Sequence, residues 1–436
     1  MAKCLIMHDY IIIGGGLQGG LLALAIKQHH PKASMLLIER ESTIGGNHTW
    51  SFHPKDVPAE SRAWIDPLVT SRWQNYVVRF PGFERRVDLP YASISSNHFS
   101  NVVSECFREV QTSGCDQSSV VAFRSSDTDA NLGEKAALYS AQSKETAFLS
   151  HDRGESFLLS ETEVEFIGAQ VVRTMRGVTF TGKVVIDCRG PVRVLPEQGS
   201  DEAFCGGFQK FFGFEIELQE DWPESYPVVM DACQNQSNGF RFMYSLPFSD
   251  RRVLVEDTQF SENPRVYRAD CLKNVEEFVR RKTNSSWKII REEFGCLPMP
   301  MSYESLPRVT LPLQGGYAGG FFHAATGYSF PLAVRFAQAV ASVEPERAAG
   351  SVSALVSEIQ SQARFARLLN RLLFRLVKPS KRWGIFQRFY RVLSDDTISR
   401  FYAHCFTKYD ALRIVVGRPP SGLTPVRFLD SFRGQR

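Results

Sequence analysis

Asp9-Tyr10-Ile11-Ile12-Ile13-Gly14-Gly15-Gly16-Leu17-Gln18-Gly19 stands near the start of a 436-residue chain, and its reading decides the fold. Tyr10 to Ile13 is a short apolar run of the kind that forms a strand buried on both faces. It breaks into Gly14-x-Gly16-x-x-Gly19, and a helix-compatible segment follows from Leu21 to Gln28. A second apolar run, Met35 to Ile38, ends in Glu39, twenty residues beyond the third glycine. The glycines divide the work: a tight turn at Gly14, close backbone approach to a pyrophosphate at Gly16, and helix against strand at Gly19. Glu39 is placed to accept from a ribose hydroxyl. A lone glycine triplet would say little. Strand, helix, second strand and acid in this order are the fingerprint of an adenine dinucleotide site.

The chain is long enough for two or three structural units and a large core. Its 43% apolar and 22% charged residues are ordinary for a globular protein. A net charge of +4 gives no reason to expect a nucleic-acid partner. The nine cysteines are dispersed without a Cys-x-x-Cys pair, which argues against a zinc site or a disulfide framework and fits a reducing compartment. Met1 to Met7 does not read as a secretory leader, and no uninterrupted apolar stretch reaches 18 residues. The expected location is the cytoplasm.

Past Glu39 comes Ile44-Gly45-Gly46-Asn47-His48-Thr49-Trp50-Ser51-Phe52-His53. The paired glycines allow backbone close to a ligand. No carboxylate or cysteine completes a ligand set around the two histidines, so the stretch reads as a loop over the cofactor, and no metal is expected. Residues 75–87 read as a hairpin around Pro81-Gly82, and His98 to Val110 as an amphipathic helix. Residues 111–159 are rich in Ser, Asp and Ala and read as an exposed insertion. Gly182 to Gly190 reads as a buried strand ending in Asp187-Cys188-Arg189-Gly190. Between Phe208 and Pro300 strands are dense, and Phe240–Leu246 and Arg252–Asp257 are joined by Pro247-Phe248-Ser249-Asp250. A late glycine-bearing loop, 315–331, then feeds an apolar helix from Leu332 to Val343.

The last hundred residues read as helical. Nine Arg or Lys and no acid lie between Arg364 and Arg391. Arg364, Arg367, Arg371 and Arg375 share one helical face, and Phe365, Leu369, Leu372 and Leu376 another. A basic amphipathic helix with nearby aromatics is the pattern of a membrane-surface contact, and a domain-packing helix is the competing reading.

With these residues in view, the chain resembles the bacterial lycopene β-cyclases, flavoproteins that close rings on the ends of an acyclic carotenoid. Gly45 to His53 is similar to that family's GGNHTWSFH run, and Val185 to Gly190 to its VID-x-RG. Phe240 to Pro247 with Leu254-Val255-Glu256-Asp257-Thr258 resembles its hairpin with an acidic tip. Gly327-Tyr328-Ser329 with Pro331 to Val334 resembles its late flavin loop, and Gln387 to Tyr390 with Arg400 to Ala403 its helical tail. Two departures lie where the family meets its cofactor: Ala324-Ala325 where Pro-Thr is usual, and His98 where a basic residue, commonly Arg, is usual.

The resemblance implies an α/β fold: a Rossmann-like FAD-binding domain with a parallel sheet, discontinuous in sequence (1–60, 160–205 and 305–345). An antiparallel β substrate domain (61–110 and 206–304) would be inserted into it, with a helical C-terminal region at 346–436. It implies FAD, active in reduced form, held by Gly14, Gly16, Gly19, Glu39, Gly45, Gly46, Asp187, Arg189, Gly190, Thr326 and Gly327, with NADPH as electron donor. The substrate would be lycopene, cyclised by an acid-initiated, non-redox reaction at a site held by Glu256 and Asp257, and the enzyme would lie peripherally on a membrane. Alternation puts Glu256 on a strand face with Leu254 and Thr258, and Asp257 on the other with Val255. Glu256 is therefore the expected acid, with Asp257 supporting it. The rivals are an FAD/NADPH-dependent monooxygenase of the same fold and an inactive flavin-binding homologue at a membrane.

Overall fold

The computed structural model describes residues 7–112, 121–123, 155–190 and 206–416. Its first layer is a sheet whose centre is parallel. Met7–Ile13 lies between Thr179–Asp187 and Met35–Ile38, and the sheet continues through Phe157–Leu159 to Arg108–Thr112. Leu313–Gln314 adds a short parallel strand beside Thr179–Asp187. All four residues of Met35–Ile38 are buried, as expected of a central parallel strand covered on both faces. One face packs on the helices Leu17–His29 and Phe330–Ala341, whose apolar sides merge into the largest core cluster. The α/β class is as expected, and the parallel sheet is assembled from separated pieces of sequence.

Two local expectations are corrected here. The helix predicted over His98 to Val110 runs only from Ser96 to Ser104, capped by the Ser95 side chain, and Arg108–Thr112 is a strand. Phe157–Leu159, predicted inside an exposed insertion, is a buried strand between Met35–Ile38 and Arg108–Thr112. Helical periodicity in the one and polar composition around the other are local signals, and sheet pairing across distant sequence overrides both. Most of the rest of 111–159 lies outside the described residues.

The second layer is a seven-stranded sheet. Its spatial order is Trp287–Pro300, Gly206–Leu218, Arg252–Ser261, Phe240–Ser249, Val228–Asp231, Tyr76–Phe80 and Phe83–Val87. Every pair is antiparallel except Val228–Asp231 with Tyr76–Phe80. One face is closed by the helix Arg268–Lys282 over Phe214, Ile216, Val253 and Val255. The other face carries Phe242, Leu254 and Phe260 and turns towards the C-terminal helices. A three-stranded sheet (Thr49–Phe52, Tyr91–Ser95, Ser71–Trp73) lies between the layers in sequence.

The helix Ala348–Arg371 corrects the predicted basic face. Arg367 has no exposed surface and binds the Ser302 carbonyl at 3.2 Å, the Ala363 carbonyl at 2.9 Å and the Ser305 side chain at 3.1 Å. Arg371 binds the Met301 carbonyl at 2.8 Å and lies over the Tyr303 ring. Two of the four arginines expected to share one helical face at a membrane surface are turned inwards, where they satisfy backbone carbonyls, which favours the competing reading of a domain-packing helix for this part. Among the described residues, no helix is long and apolar enough to cross a membrane.

Candidate active site

A cavity of about 1880 Å³ runs from the Gly14–Gly16 turn to the inner face of the seven-stranded sheet. At its first end lie Gly14, Gly16, Glu39, Gly45, Gly46 and the Asp187–Gly190 turn. Gly14, Gly45 and Gly46 have φ of +96°, +85° and +61°, a region closed to most side chains. A Cβ on Gly16 would meet nothing within 4 Å, so its backbone borders the open cavity. Gly19 does not line it; a Cβ there would fall on the Gly14 carbonyl, so it serves the helix–strand contact assigned from the sequence. Glu39 accepts from Gly15 N at 2.6 Å and Glu41 N at 2.9 Å, which fixes a carboxylate with lone pairs to spare at the cavity edge. Arg189 forks onto Asp187 at 2.9 Å through both nitrogens. Thr326 and Gly327 complete the wall from the late loop. This cradle, with the N-terminus of Leu17–His29 pointing into it, fits an adenine dinucleotide.

His98 and Ala324, whose departures were expected to touch the cofactor, do not line the cavity. His98 Nε2 bonds to the Pro67 carbonyl at 2.8 Å, and the Ala324 carbonyl accepts from Asn370 at 2.7 Å. His48 and His53 stand apart in role: His48 lies by Trp50, and His53 faces Asp56. Among the described residues no group of three or more potential ligands could hold a metal ion.

The other end of the cavity is built on one cross-strand row. In register, Glu293 stands opposite Gly213, Gly213 opposite Glu256, and Glu256 opposite Tyr244. Side chains in such a row share one face, and Gly213 contributes none. A Cβ on Gly213 would lie 2.8 Å from Glu256 Cγ and 3.2 Å from Glu293 Cγ. The two glutamates therefore meet over a glycine. Both are buried. Glu256 is held well above the usual carboxylate range, first by burial and then by the charge of Glu293 and a hydrogen bond with it; the nearby Arg291 opposes this.

Glu293 is the member that a cation binds. Arg291 reaches it at 2.6 Å, and Thr49 Oγ1 donates to the same oxygen at 2.9 Å. Arg291 also holds Glu215 at 2.9 Å, Thr49 at 2.7 Å and Asn47 at 3.1 Å. Asn47 and Thr49 belong to the loop after Gly45-Gly46, so the acid pair is tied to the dinucleotide end by direct bonds. A buried carboxyl whose affinity for its proton is raised, first by burial and then by a neighbouring carboxylate, has the chemistry of a proton donor.

Asp257, expected on the other strand face in support of Glu256, lies away from the cavity. It points to the opposite face of the sheet, fully buried, bound by Arg241 at 2.6 and 2.9 Å and by Asn274 at 2.9 Å. It pins the strand pair to the helix Arg268–Lys282. Glu256 is also not at a hairpin tip; the turn lies at 249–252, and Glu256 sits within Arg252–Ser261.

Aromatic rings surround the row. Tyr91 and Tyr244 join hydroxyls at 3.2 Å, and Tyr76, Phe242, Tyr390 and Tyr402 line the same end. Burial pushes the Tyr91 and Tyr244 hydroxyls up, so they remain protonated. Sequence reasoning missed Glu293, Arg291 and Gly213. The i, i+2 spacing of Arg291 and Glu293 in a strand was the available signal, since it places both on one face.

A model of the family described as lycopene cyclase protein matches residues 9–131 and 154–427. A lycopene beta-cyclase of Pantoea ananas is 32% identical over 422 residues, covering 95% of each chain. One from a Paracoccus species is 31% identical over 433 residues, covering 97% of each. Among solved structures, a geranylgeranyl bacteriochlorophyll reductase-like protein from Thermoplasma acidophilum superposes with a TM-score of 0.56 at 13% identity, over 98% of each chain. A probable FAD-dependent monooxygenase from Pseudomonas aeruginosa gives 0.51 at 12% identity, over 87% of this chain and 98% of that one. Those two likenesses establish a shared fold. The sequence matches, over nearly the whole length, go further: this chain belongs to the lycopene cyclase family.

Proposed function

We propose that the protein is a lycopene beta-cyclase: it isomerises the acyclic ends of lycopene to β-ionone rings, with reduced FAD bound and NADPH as the reductant. The observation that carries this reading is Glu256, a buried acid whose affinity for its proton is raised, facing a cavity continuous with a dinucleotide cradle. The kinship with lycopene beta-cyclases supports the substrate.

FAD would be held by Gly14, Gly16, Glu39, Gly45, Gly46, Asp187, Arg189, Gly190, Thr326 and Gly327, with Gly19 letting the helix sit close to the Gly14 turn. When bound and reduced it supplies negative charge beside the reacting carbons. Glu256 gives its proton to the terminal double bond of the polyene. That C–H bond forms as the Glu256 O–H bond breaks, and a tertiary cation results. The neighbouring alkene closes the ring, and loss of a ring proton leaves the product with no net redox change. The faces of Tyr76, Tyr91 and Tyr402 line this end and stabilise positive charge through their π-systems. The apolar walls keep water from capturing the cation. A monooxygenase of the same fold has no need of a protonated carboxyl paired with an anchored carboxylate.

A long hydrocarbon resides in bilayers, so the reading includes contact with a lipid surface. The face that supports it is the helix Lys408–Val415 and the residue beyond it. Tyr409, Leu412, Val415 and Val416 are 66, 57, 47 and 59% exposed, with Lys408 and Arg413 on the same helix. Apolar side chains fringed by cations suit an anionic interface.

The test is expression in a host that makes lycopene, followed by pigment analysis. Cyclic product from the wild type and unchanged lycopene from Glu256→Gln are expected. Equal cyclisation by the variant would remove Glu256 from its role, and oxygenated product would favour the monooxygenase.

A further inference from the structure

Ring closure leaves a proton to be removed from the ring, and the cavity offers a base other than the Glu256 carboxylate. We infer that His53, oriented by Asp56, accepts that proton. The inference rests on the cyclase reading above and adds to it a residue for the second half.

His53 lines the cavity and is only 5% exposed. Its Nδ1 faces Asp56 Oδ2 at 3.4 Å. Asp56 has no exposed side-chain surface and takes a hydrogen bond from the Tyr328 hydroxyl at 2.9 Å on the same oxygen. Neither ring nitrogen of His53 makes a hydrogen bond: Nδ1 has the Asp56 carboxylate as its near neighbour, and Nε2, on the other side of the ring, is buried without a protein partner. A buried ring nitrogen without a partner is uncommon, and here it belongs to a cavity-lining residue backed by a carboxylate. This is the arrangement of a base and its orienting group.

The wall places His53 in line with the acid. Glu256 stands opposite Tyr244 in register, Tyr244 bonds to Tyr91, and the Tyr91 ring packs 5.2 Å from the His53 ring. Tyr76 and Tyr402 close the collar around His53, each 5.6 Å away between ring centres. The other carboxylates lining the cavity, Glu39, Glu41, Glu163 and Asp187, stand with the dinucleotide turn. His323 and His404 are packed against each other outside it, and burial pushes His323 down to about 3. His48 also lines the cavity and lies by Trp50, near Glu293 and Arg291; His53 is the cavity imidazole ringed by Tyr76, Tyr91 and Tyr402 with a carboxylate beside its Nδ1.

The proton balance is complete. The Glu256 proton ends on the less substituted carbon of the terminal double bond, and the tertiary cation left on the other carbon is consumed by ring closure. The ring C–H bond breaks, its electron pair becomes the ring double bond, and the proton goes to His53 Nε2. Return of one proton from His53 to Glu256 before the next turnover restores both groups, and no oxidant or reductant is consumed.

The experiment uses the purified protein with reduced FAD and lycopene in phosphatidylcholine liposomes. For His53→Gln we expect kcat to fall by about 10² to 10⁴, the range general-base groups contribute, with KM and bound flavin unchanged. Asp56→Asn should fall less and keep the same ring product. His53→Ala should lose activity and recover part of it when imidazole is added, a response that a packing role would not give. A His53→Gln enzyme within threefold of wild type, or a His53→Ala enzyme that imidazole does not rescue, overturns the assignment. If the wild type itself forms no ring, the cyclase reading falls, and that result is separate from every variant outcome.

Discussion

Glu256 and Glu293 lie on strands two apart in one sheet, and their carboxylate arms meet above Gly213, which offers no side chain to separate them. Arg291 and Thr49 bind Glu293, while burial and the charge of Glu293 raise the affinity of Glu256 for its proton. The working form is protonated, so a raised affinity extends activity towards higher pH. Glu293→Gln removes the negative charge and leaves Arg291 less neutralised, and both changes lower the affinity of Glu256 for its proton. The alkaline limb of the pH–rate profile should move down by about one unit or more. An unmoved limb would show that Glu293 does not set the protonation of Glu256.

Gly213→Ala tests the same row sterically. The added methyl would stand 2.8 Å from Glu256 Cγ and 3.2 Å from Glu293 Cγ, on strands whose backbones are fixed by pairing on both sides. Overpacking of this kind costs about 1–3 kcal/mol, which a protein of this size can absorb without unfolding. The acid pair must part, so cyclisation should fall at least about tenfold, as expected when a proton donor loses its placement. Bound flavin should be unchanged, because Gly213 does not touch the dinucleotide end. Activity within twofold of wild type would show that the row tolerates a side chain.

Much of this was legible in the chain itself. Tyr10 to Glu39 carries its own context, because a buried parallel strand, a glycine turn and a helix must follow one another in sequence. Strand alternation separated Glu256 from Asp257 before any coordinates, since neighbours in a strand face opposite sides. What was not legible depends on pairing between distant strands. Gly213 and Glu293 are 43 and 37 residues from Glu256 in sequence, and only register brings them together. Phe157–Leu159 was hidden by the polar residues around it. The arginine row at 364–375 misled because helical periodicity says which residues share a face, and not whether carbonyls wait there to receive them, as Ser302 and Ala363 do for Arg367.

Asp257 should affect stability rather than chemistry. It bonds to Arg241 and Asn274 on the face away from the cavity. Asp257→Asn leaves the Arg241 guanidinium facing a neutral amide. Since Arg241 keeps some contact with solvent, the expected loss is about 2 kcal/mol, below that for a fully enclosed pair. Urea denaturation should show an earlier midpoint, while the folded enzyme keeps kcat within a few-fold of wild type. A large fall in kcat without a change in midpoint would return Asp257 to the catalytic set.

The proposed lipid-facing surface separates two elements that sequence periodicity alone cannot tell apart. Arg367 is enclosed and spends its donors on carbonyl and hydroxyl oxygens, so it has nothing to offer a phosphate headgroup. Leu412 and Val416 project outwards from the helix Lys408–Val415 and its end. Each such side chain is worth about 1.5–3 kcal/mol when fully removed from water. Replacing both by Asp should lower flotation with phosphatidylglycerol-containing liposomes at least about tenfold, and added anionic charge works against the same surface. Arg367→Gln should lower the melting temperature and leave flotation of the folded protein as it was. If the paired Asp variant floats as well as wild type, this helix is not the contact. If Arg367→Gln alone releases the protein while its melting temperature holds, the arginine row regains the role that its buried geometry argues against.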